Sequence, residues 1–414
     1  MSLYETSDGI LETHVTWEDI QKTMQATFKT KAAFGDGKRA TNISDMKGYM
    51  SIIALIDADW VNVEEDTKLP SRFAVKISTQ LPLLALSKIM KFGGENGFGE
   101  EKLRELGKLS RKIHNLEVDT YDVLMRFNHP DIPFAKRYGS KKFESGDDVK
   151  GFLIIEYVPN AQNIGAHLSI PADDLIPAVR GIATFSALCE KLATEEKTFA
   201  GGPEYLEVMF EQFFGTSSLQ KHFSQMHTVF GEEHHGKVND LIKTFTVYQN
   251  CLKNYSKISE MLGWKSVFNH GDLWQSNMIF TSEKNGKLHL QAVIDWQSTV
   301  ILPPGLDMSR LLMGCLSAND RREHGSDLLK LYQKTFNEVY GTEVLKWQEL
   351  HDSYNLYFPM AAMLIIPGIL TFMAFVSEEE KLQGMEKVTA IMEDVHNIHE
   401  YNLAHYPEFL RSPQ

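Results

Sequence analysis

Between residues 267 and 297 the sequence reads VFNHGDLWQSNMIFTSEKNGKLHLQAVIDWQ, and this stretch gathers the side chains best suited to chemistry. MIF and LHLQAVI are strand-like runs joined by a polar connection that contains Asn285-Gly286, the pattern of a β-hairpin. Asn277 stands immediately before the first run and Asp295 immediately after the second, so closing the hairpin brings an amide oxygen and a carboxylate together at its open end. Hard oxygen donors of this kind suit Mg2+, which keeps few protein ligands and completes its shell with water and phosphate oxygens. Asp272 precedes Asn277 by five residues, in a loop entered through His270-Gly271. That spacing places a second carboxylate beside the same metal, suited to orienting a hydroxyl group and accepting its proton.

Such a set points to phosphoryl transfer, where catalysis is mostly alignment and neutralisation of charge on the transferring group, and where a lysine is the usual further member. Lys76 is the candidate. In RFAVKIS, Phe73, Val75 and Ile77 alternate with Ala74, Lys76 and Ser78, so the pleat sends Lys76 to the face opposite the three large apolar residues, toward a cleft or solvent. The segment from Asn115 to Asn128 carries Leu116, Thr120, Val123, Leu124 and Phe127 at helical spacing, and Glu117 on the adjacent stripe can meet Lys76.

Each residue taken alone has a blander reading. Asp272 could cap a helix, Lys76 could be an outward-facing strand lysine, and Glu117 could be a solvated helix position. The combination of Asp272, Asn277, the hairpin and Asp295 favours catalysis, judged by roles rather than by any one motif. His270 is expected to hold the loop through hydrogen bonds. Asp307 follows Pro303-Pro304-Gly305 and is expected to N-cap the helical run Met308 to Cys315, while Trp274 and Trp296 are expected to pack.

Two lobes are needed to position these groups. Thr16, with Asp19 three residues on, caps a leading helix over Trp17, Ile20, Met24 and Phe28. From residue 30 to 78 short strand-like runs predict an antiparallel sheet, and a dense apolar run, Phe152 to Ile155, reads as a buried strand that leads into an extended connector. We therefore divide the chain into an N-terminal, nucleotide-binding lobe (1–155), a hinge (156–163) and a C-terminal lobe (164–414). The C-terminal lobe is mainly helical, as over Leu175 to Leu192 and Gly236 to Met261, and carries the hairpin. The predicted class is α+β.

Tyr357 to Val376 is uncharged for twenty residues and meets the length criterion for a membrane span. Pro359, Pro367 and Gly368 are expected to break it into two core-length pieces, so no membrane span is expected. With 414 residues, 43% of them hydrophobic and 23% charged, the chain has enough apolar content for a large core. Its net charge of −13 and the lack of basic runs interleaved with aromatics argue against nucleic acid as a partner. Cys189, Cys251 and Cys315 are odd in number and widely spaced, which fits neither a disulfide framework nor a CxxC metal site and suits a reducing, cytoplasmic location. The acidic N-terminus, Met1 to Glu12, does not read as a signal peptide.

HGDLWQSNMIF together with IDWQ resembles the catalytic and metal motifs of aminoglycoside phosphotransferases and choline kinases, and above all those of the ecdysteroid-kinase-like, or CHK-kinase-like, family and its nematode branch. ATNISDMKGYMS, FAVKI, the helix with Glu117 and EYV follow in the same order, so the resemblance spans nearly the whole chain. It implies a protein-kinase-like two-lobe fold with an antiparallel-sheet N-lobe and a mainly helical C-lobe, and ATP and Mg2+ as cofactors. By position, Asp272 would be the catalytic base, Asn277 and Asp295 the Mg2+ ligands, Lys76 the phosphate-binding lysine and Glu117 its partner. Backbone groups around Glu156, Tyr157 and Val158 would receive adenine. Gly48, Tyr49 and Ser51 would belong to the loop over the phosphates, although that segment lacks repeated glycines.

The acceptor implied is a small-molecule alcohol, steroid-like or otherwise hydrophobic. Choline kinases carry an acidic residue after their IDF-type motif where this chain has Trp296-Gln297, which argues against choline. The alternatives are an amino-alcohol or aminoglycoside kinase and a nucleotide-binding pseudokinase. The sequence does not specify an oligomeric state.

Overall fold

The computed structural model describes residues 2–44, 50–89, 96–208, 210, 223, 226–373 and 375–412. The chain divides into two compact units: Met1–Arg126 with Ala135–Pro159, and Phe127–Phe134 with Asn160–Gln414. Residues 127–134, which sequence alone assigns to the N-terminal lobe, belong to the second unit.

The first unit opens with α1 (Trp17–Phe28), whose N-cap Thr16 accepts the Asp19 N–H at 3.3 Å while the Asp19 carboxylate accepts the Thr16 N–H at 2.8 Å, the reciprocal box expected from the spacing. Its strands are β1 (Ala33–Phe34), β2 (Arg39–Asn42), β3 (Ser51–Asp57), β4 (Trp60–Val61), β5 (Arg72–Ser78), β6 (Arg137–Lys141) and β7 (Phe152–Glu156). Five of them form one sheet in the order β2-β3-β5-β7-β6, antiparallel at every pair. β5 is central, with Lys76 opposite Ile53 on one side and Leu153 on the other. Phe73, Val75 and Ile77 point into a core shared with Ile20, Met24, Ile56 and Ile154, so the pleat turns Lys76 to the other face, as expected.

Two more helices complete this unit, α2 (Leu81–Ile89) and α3 (Glu100–Phe127). The spacing predicts a helix only from Asn115, but α3 begins fifteen residues earlier. Leu103, Leu106, Leu109 and Ile113 continue the buried stripe toward its N-terminus.

In the second unit the helices are α4 (Ala172–Glu190), α5 (His235–Asn250), α6 (Leu252–Ser256), α7 (Ile258–Leu262), α8 (Gly305–Cys315), α9 (Ala318–Tyr340), α10 (Trp347–Met373) and α11 (Glu378–His405). The single helical run expected over Gly236 to Met261 is three helices, separated at Cys251 and Lys257 where the backbone leaves the helical region. Two antiparallel strand pairs complete the unit: β8 (Val267–Asn269) with β11 (Val300–Leu302), and β9 (Met278–Ser282) with β10 (Leu288–Val293).

α10 corrects an expectation, because it runs unbroken through Pro359 and Pro367. A proline inside a helix removes the N–H that would bond the carbonyl four residues back. For Pro359 that carbonyl belongs to Asn355, and the Asn402 side-chain amide of α11 donates to it at 2.8 Å. A tertiary contact thus satisfies the group that the proline orphans. Among the described residues α10 is the one helix long and apolar enough to cross a membrane, but 67% of its most apolar window is buried inside the protein, as in a core helix.

Candidate active site

The pairing of β8 with β11 and of β9 with β10 brackets two loops. Residues 270–277 connect β8 to β9, and residues 294–299 connect β10 to β11. Val293 pairs with Met278, and the Ile294 N–H then bonds the Asn277 carbonyl at 2.9 Å, so Asn277 and Asp295 emerge side by side at the open end of the hairpin. Asp295 has φ 66° and ψ 50°, a left-handed conformation that aspartate tolerates better than most residues and that concentrates at functional sites.

Asn277 is 8% exposed, and its amide nitrogen donates to the Asp272 carbonyl at 2.7 Å and to Asp272 Oδ2 at 2.9 Å. Both amide protons are therefore directed at Asp272, and this orientation leaves Oδ1 as the oxygen available to a cation. The donor set that Asn277 and Asp295 offer is hard oxygen, which fits Mg2+. Among the described residues no group of three or more His, Cys, Asp or Glu side chains could hold a metal, so any cation here would rely on few protein ligands and on phosphate oxygens.

The loop that carries Asp272 is held from several sides. His270 is fully buried, its Nε2 lies 2.9 Å from the Ile294 carbonyl, and its Nδ1 accepts the Asp272 N–H at 3.2 Å. The ring also packs on Trp296, with centroids 4.7 Å apart, so both act as structural members, as expected. Gly271 has φ 82°, and a Cβ there would sit 2.1 Å from the Ser298 carbonyl oxygen, so no other residue fits between the two loops. Trp274 packs too: a Cβ at Gly368 of α10 would lie 3.2 Å from its ring.

Asp307 does something other than cap its own helix. It lies inside the first turn of α8, 1% exposed, and accepts the N–H groups of His270 at 2.6 Å and Gly271 at 2.8 Å. Burial pushes its carboxyl above the usual range, opposed by His270, by the two backbone donors and by Arg310. One turn along, Arg310 reaches Asp272: Nη2 is 2.8 Å from Oδ1, and Nη1 donates to the Gly271 carbonyl. The Tyr205 hydroxyl donates to Ser298 Oγ at 3.0 Å, and burial, reinforced by Asp272 and Asp295, pushes it up to about 12. Sequence reasoning missed Arg310 and Tyr205. The i, i+3 spacing of Asp307 and Arg310 was a signal for the first, whereas nothing local marks the second.

In the first unit, Lys76 Nζ lies 2.7 Å from Glu117 Oε2, the side chains 11% and 2% exposed. His114, one turn before Glu117, is held down at about 4 by burial and by the charge of Lys76, against the opposing hydrogen bond that its Nε2 donates to the Lys141 carbonyl. Ser51 opens β3 opposite Ser78, while Gly48 and Tyr49 lie outside the described residues. Glu156 ends β7, its N–H bonded to the Lys136 carbonyl at 2.8 Å. Tyr157 lies under the Arg72 guanidinium at 5.1 Å, and Val158 follows in the partly buried end of the unit.

A family model described as "Uncharacterized oxidoreductase dhs-27" matches residues 3–403. The uncharacterized kinase-like protein D1044.1 of Caenorhabditis elegans is 31% identical over 123 residues, which is 30% of this chain and 31% of that protein. The match thus spans about a third of that relative's length. Among solved structures, a putative aminoglycoside phosphotransferase of Ralstonia eutropha is 13% identical, with TM-score 0.44, over 93% of this chain and 98% of that one. A microcompartment-associated aminopropanol kinase is 12% identical, with TM-score 0.44, over 95% and 100%. An ethanolamine kinase of Plasmodium vivax is 14% identical, with TM-score 0.39, over 86% and 82%. The word oxidoreductase belongs to the protein named in the family description. In this chain Gly35–Ala40 has the glycine spacing of a dinucleotide fingerprint, but it joins β1 to β2 rather than a strand to a helix, and its Gly37 N–H is bonded to the Asp59 carboxylate at 2.7 Å.

Proposed function

The chain belongs to the DUF1679 family, and from that premise we propose that it is a small-molecule kinase that transfers the γ-phosphoryl group of ATP to an alcohol. The observation that carries this reading is the joint fixing of Asp272 and Asn277: the amide of one is locked onto the carboxylate of the other, and the Asn277 backbone is bonded to Ile294, the residue before Asp295.

Asp272 orients the acceptor hydroxyl and takes its proton as the new O–P bond forms and the bond from the γ-phosphorus to the β,γ-bridging oxygen breaks, releasing ADP. Asn277 Oδ1 and the Asp295 carboxylate are the donors that would hold Mg2+, which when bound neutralises charge on the phosphates. Lys76, set by Glu117, contacts the nucleotide phosphates, and we assign Gly48, Tyr49 and Ser51, the last of them the first residue of β3, to the same role. The backbone of Glu156, Tyr157 and Val158 receives adenine. We assign the acceptor to hydrophobic, steroid-like alcohols, on the apolar character of the second unit and on the motif resemblance. A cytoplasmic location is part of the proposal, since Cys189, Cys251 and Cys315 are buried and outside any disulfide.

The test is an ATP-consumption screen over sterols, amino alcohols and aminoglycosides, run beside Asp272→Asn. The expected result is turnover with a hydrophobic alcohol, reduced about 10³-fold or more by the substitution while ATP binding survives. Turnover unaffected by Asp272→Asn would refute the assignment, and turnover only with amino alcohols or aminoglycosides would move the acceptor to that class.

A further inference from the structure

The roles assigned above leave one buried charge beside Asp272 unused. Arg310 reaches from α8 with its side chain 11% exposed and grips two points of the catalytic loop, Asp272 Oδ1 at 2.8 Å and the Gly271 carbonyl. Asn277 holds the other carboxylate oxygen at 2.9 Å. The Asp272 carboxylate is thus clamped at both oxygens, from the helix on one side and from its own loop on the other. Each oxygen keeps a second lone pair for a hydroxyl donor.

The clamp comes at a cost to the fold. Among the described residues the buried Arg310 Nε has no hydrogen-bond partner, and a buried donor without an acceptor is destabilising. An arginine kept only to tie α8 to the loop would do better with its whole fork satisfied. The charge also sits among acids: Arg310 pulls down both the Asp307 carboxyl and the Tyr205 hydroxyl, and Tyr205 in turn feels Asp272 and Asp295. Arg310 is therefore a cation that offsets Asp272, which it touches, and Asp307 one turn before it.

We propose that Arg310 is a positioning residue for phosphoryl transfer, which holds the Asp272 carboxylate in one orientation and balances the negative charge around it until the metal-bound nucleotide arrives. The inference rests on the reading of Asp272 as the group that orders the acceptor hydroxyl. Lysine cannot replace the fork, because one ammonium nitrogen cannot span the carbonyl and the carboxylate as two guanidinium nitrogens do, but it keeps the charge.

The experiment compares Arg310→Met, Arg310→Lys and both changes on Asp272→Asn, each checked for folding by thermal unfolding. Arg310→Met is expected to lower kcat about 10²-fold with the KM for ATP within about 3-fold, and Arg310→Lys to recover part of the loss. On Asp272→Asn, Arg310→Met should change residual turnover by less than about 3-fold, since residues that act as a unit are not additive. Calorimetric binding of ADP as a function of Mg2+ needs no acceptor: loss of a repelling cation should lower the Mg2+ requirement about 3- to 10-fold in Arg310→Met and leave it near wild type in Arg310→Lys. If Arg310→Met does not fold, Arg310→Lys alone decides, with a kcat loss of about 10-fold expected.

Wild-type kcat in Arg310→Lys and Arg310→Met, or a raised Mg2+ requirement in Arg310→Met, overturns the role of Arg310. If those changes are silent while Asp272→Asn abolishes turnover, the kinase reading stands without this inference. Full turnover in Asp272→Asn removes the reading itself.

Discussion

Asp307, 1% exposed in the first turn of α8, accepts the backbone N–H groups of His270 and Gly271 at 2.6 and 2.8 Å, and so holds the entrance of the loop that ends in Asn277. Asp307→Asn keeps the size but turns one acceptor into a donor, aimed at a backbone N–H. We expect a stability loss of about 2–4 kcal/mol and a fall in kcat of about 10²-fold, measured by denaturant unfolding and steady-state kinetics. Wild-type kcat in a folded variant would show that the loop keeps its shape without this carboxylate.

Lys76 and Glu117 form an ion pair with both side chains nearly buried, which allows stability and function to be separated. Lys76→Met leaves the Glu117 carboxylate without this partner, at a cost of about 3 kcal/mol, and is expected to raise the KM for ATP at least about 10-fold. Combining it with Glu117→Gln removes the stranded charge. The double variant should regain most of the stability and none of the nucleotide affinity; recovery of both would make the pair purely structural.

His114 gives the first unit an acid sensitivity. Its folded value of about 4 lies below the ordinary 6.5, so between those two pH values the unfolded chain binds a proton that the folded chain does not. The stability is complete above pH 6.5 and declines as the pH falls through this window, by up to about 3 kcal/mol in total. His114→Gln should flatten that part of the curve in urea unfolding at pH 7, 6 and 5. An unchanged slope would place the acid sensitivity elsewhere.

The Asn402 amide bonds the Asn355 carbonyl that Pro359 leaves without its helical donor, at 2.8 Å. Asn402→Leu should destabilise the second unit by about 1–3 kcal/mol, because it orphans a buried carbonyl. Pro359→Ala in the same chain supplies the missing N–H and should recover much of the loss. Failure to recover would mean that Asn402 matters through its bond to the Tyr248 hydroxyl, at 2.9 Å, instead.

What could be read without coordinates is what depends on neighbours in sequence. The pleat of β5 turns Lys76 away from Phe73, Val75 and Ile77 because alternation has a period of two, and the box at Thr16 and Asp19 needs only three residues' separation. The hairpin was legible for the same reason: two short runs around Asn285-Gly286 have one economical way to pair, and pairing alone brings Asn277 to Asp295. The N-terminal start of α3 is not legible in the sequence because its stripe before Asn115 is diluted by charged residues on the solvent side.

The sequence by itself determined the α+β character, the hairpin and the identity of the groups at its open end, since each follows from local periodicity and turn chemistry. Only the tertiary structure decided what surrounds them. Asp307 is a local N-cap by every nearest-neighbour rule, yet it serves backbone groups 36 and 37 residues away, because the pairing of β8 with β11 carries the loop onto α8. Arg310 meets Asp272, and Asn402 completes the helix around Pro359, through contacts that no spacing encodes. Such partners are set by three-dimensional packing and by the requirement that buried polar groups be satisfied, which acts on distances in space rather than along the chain.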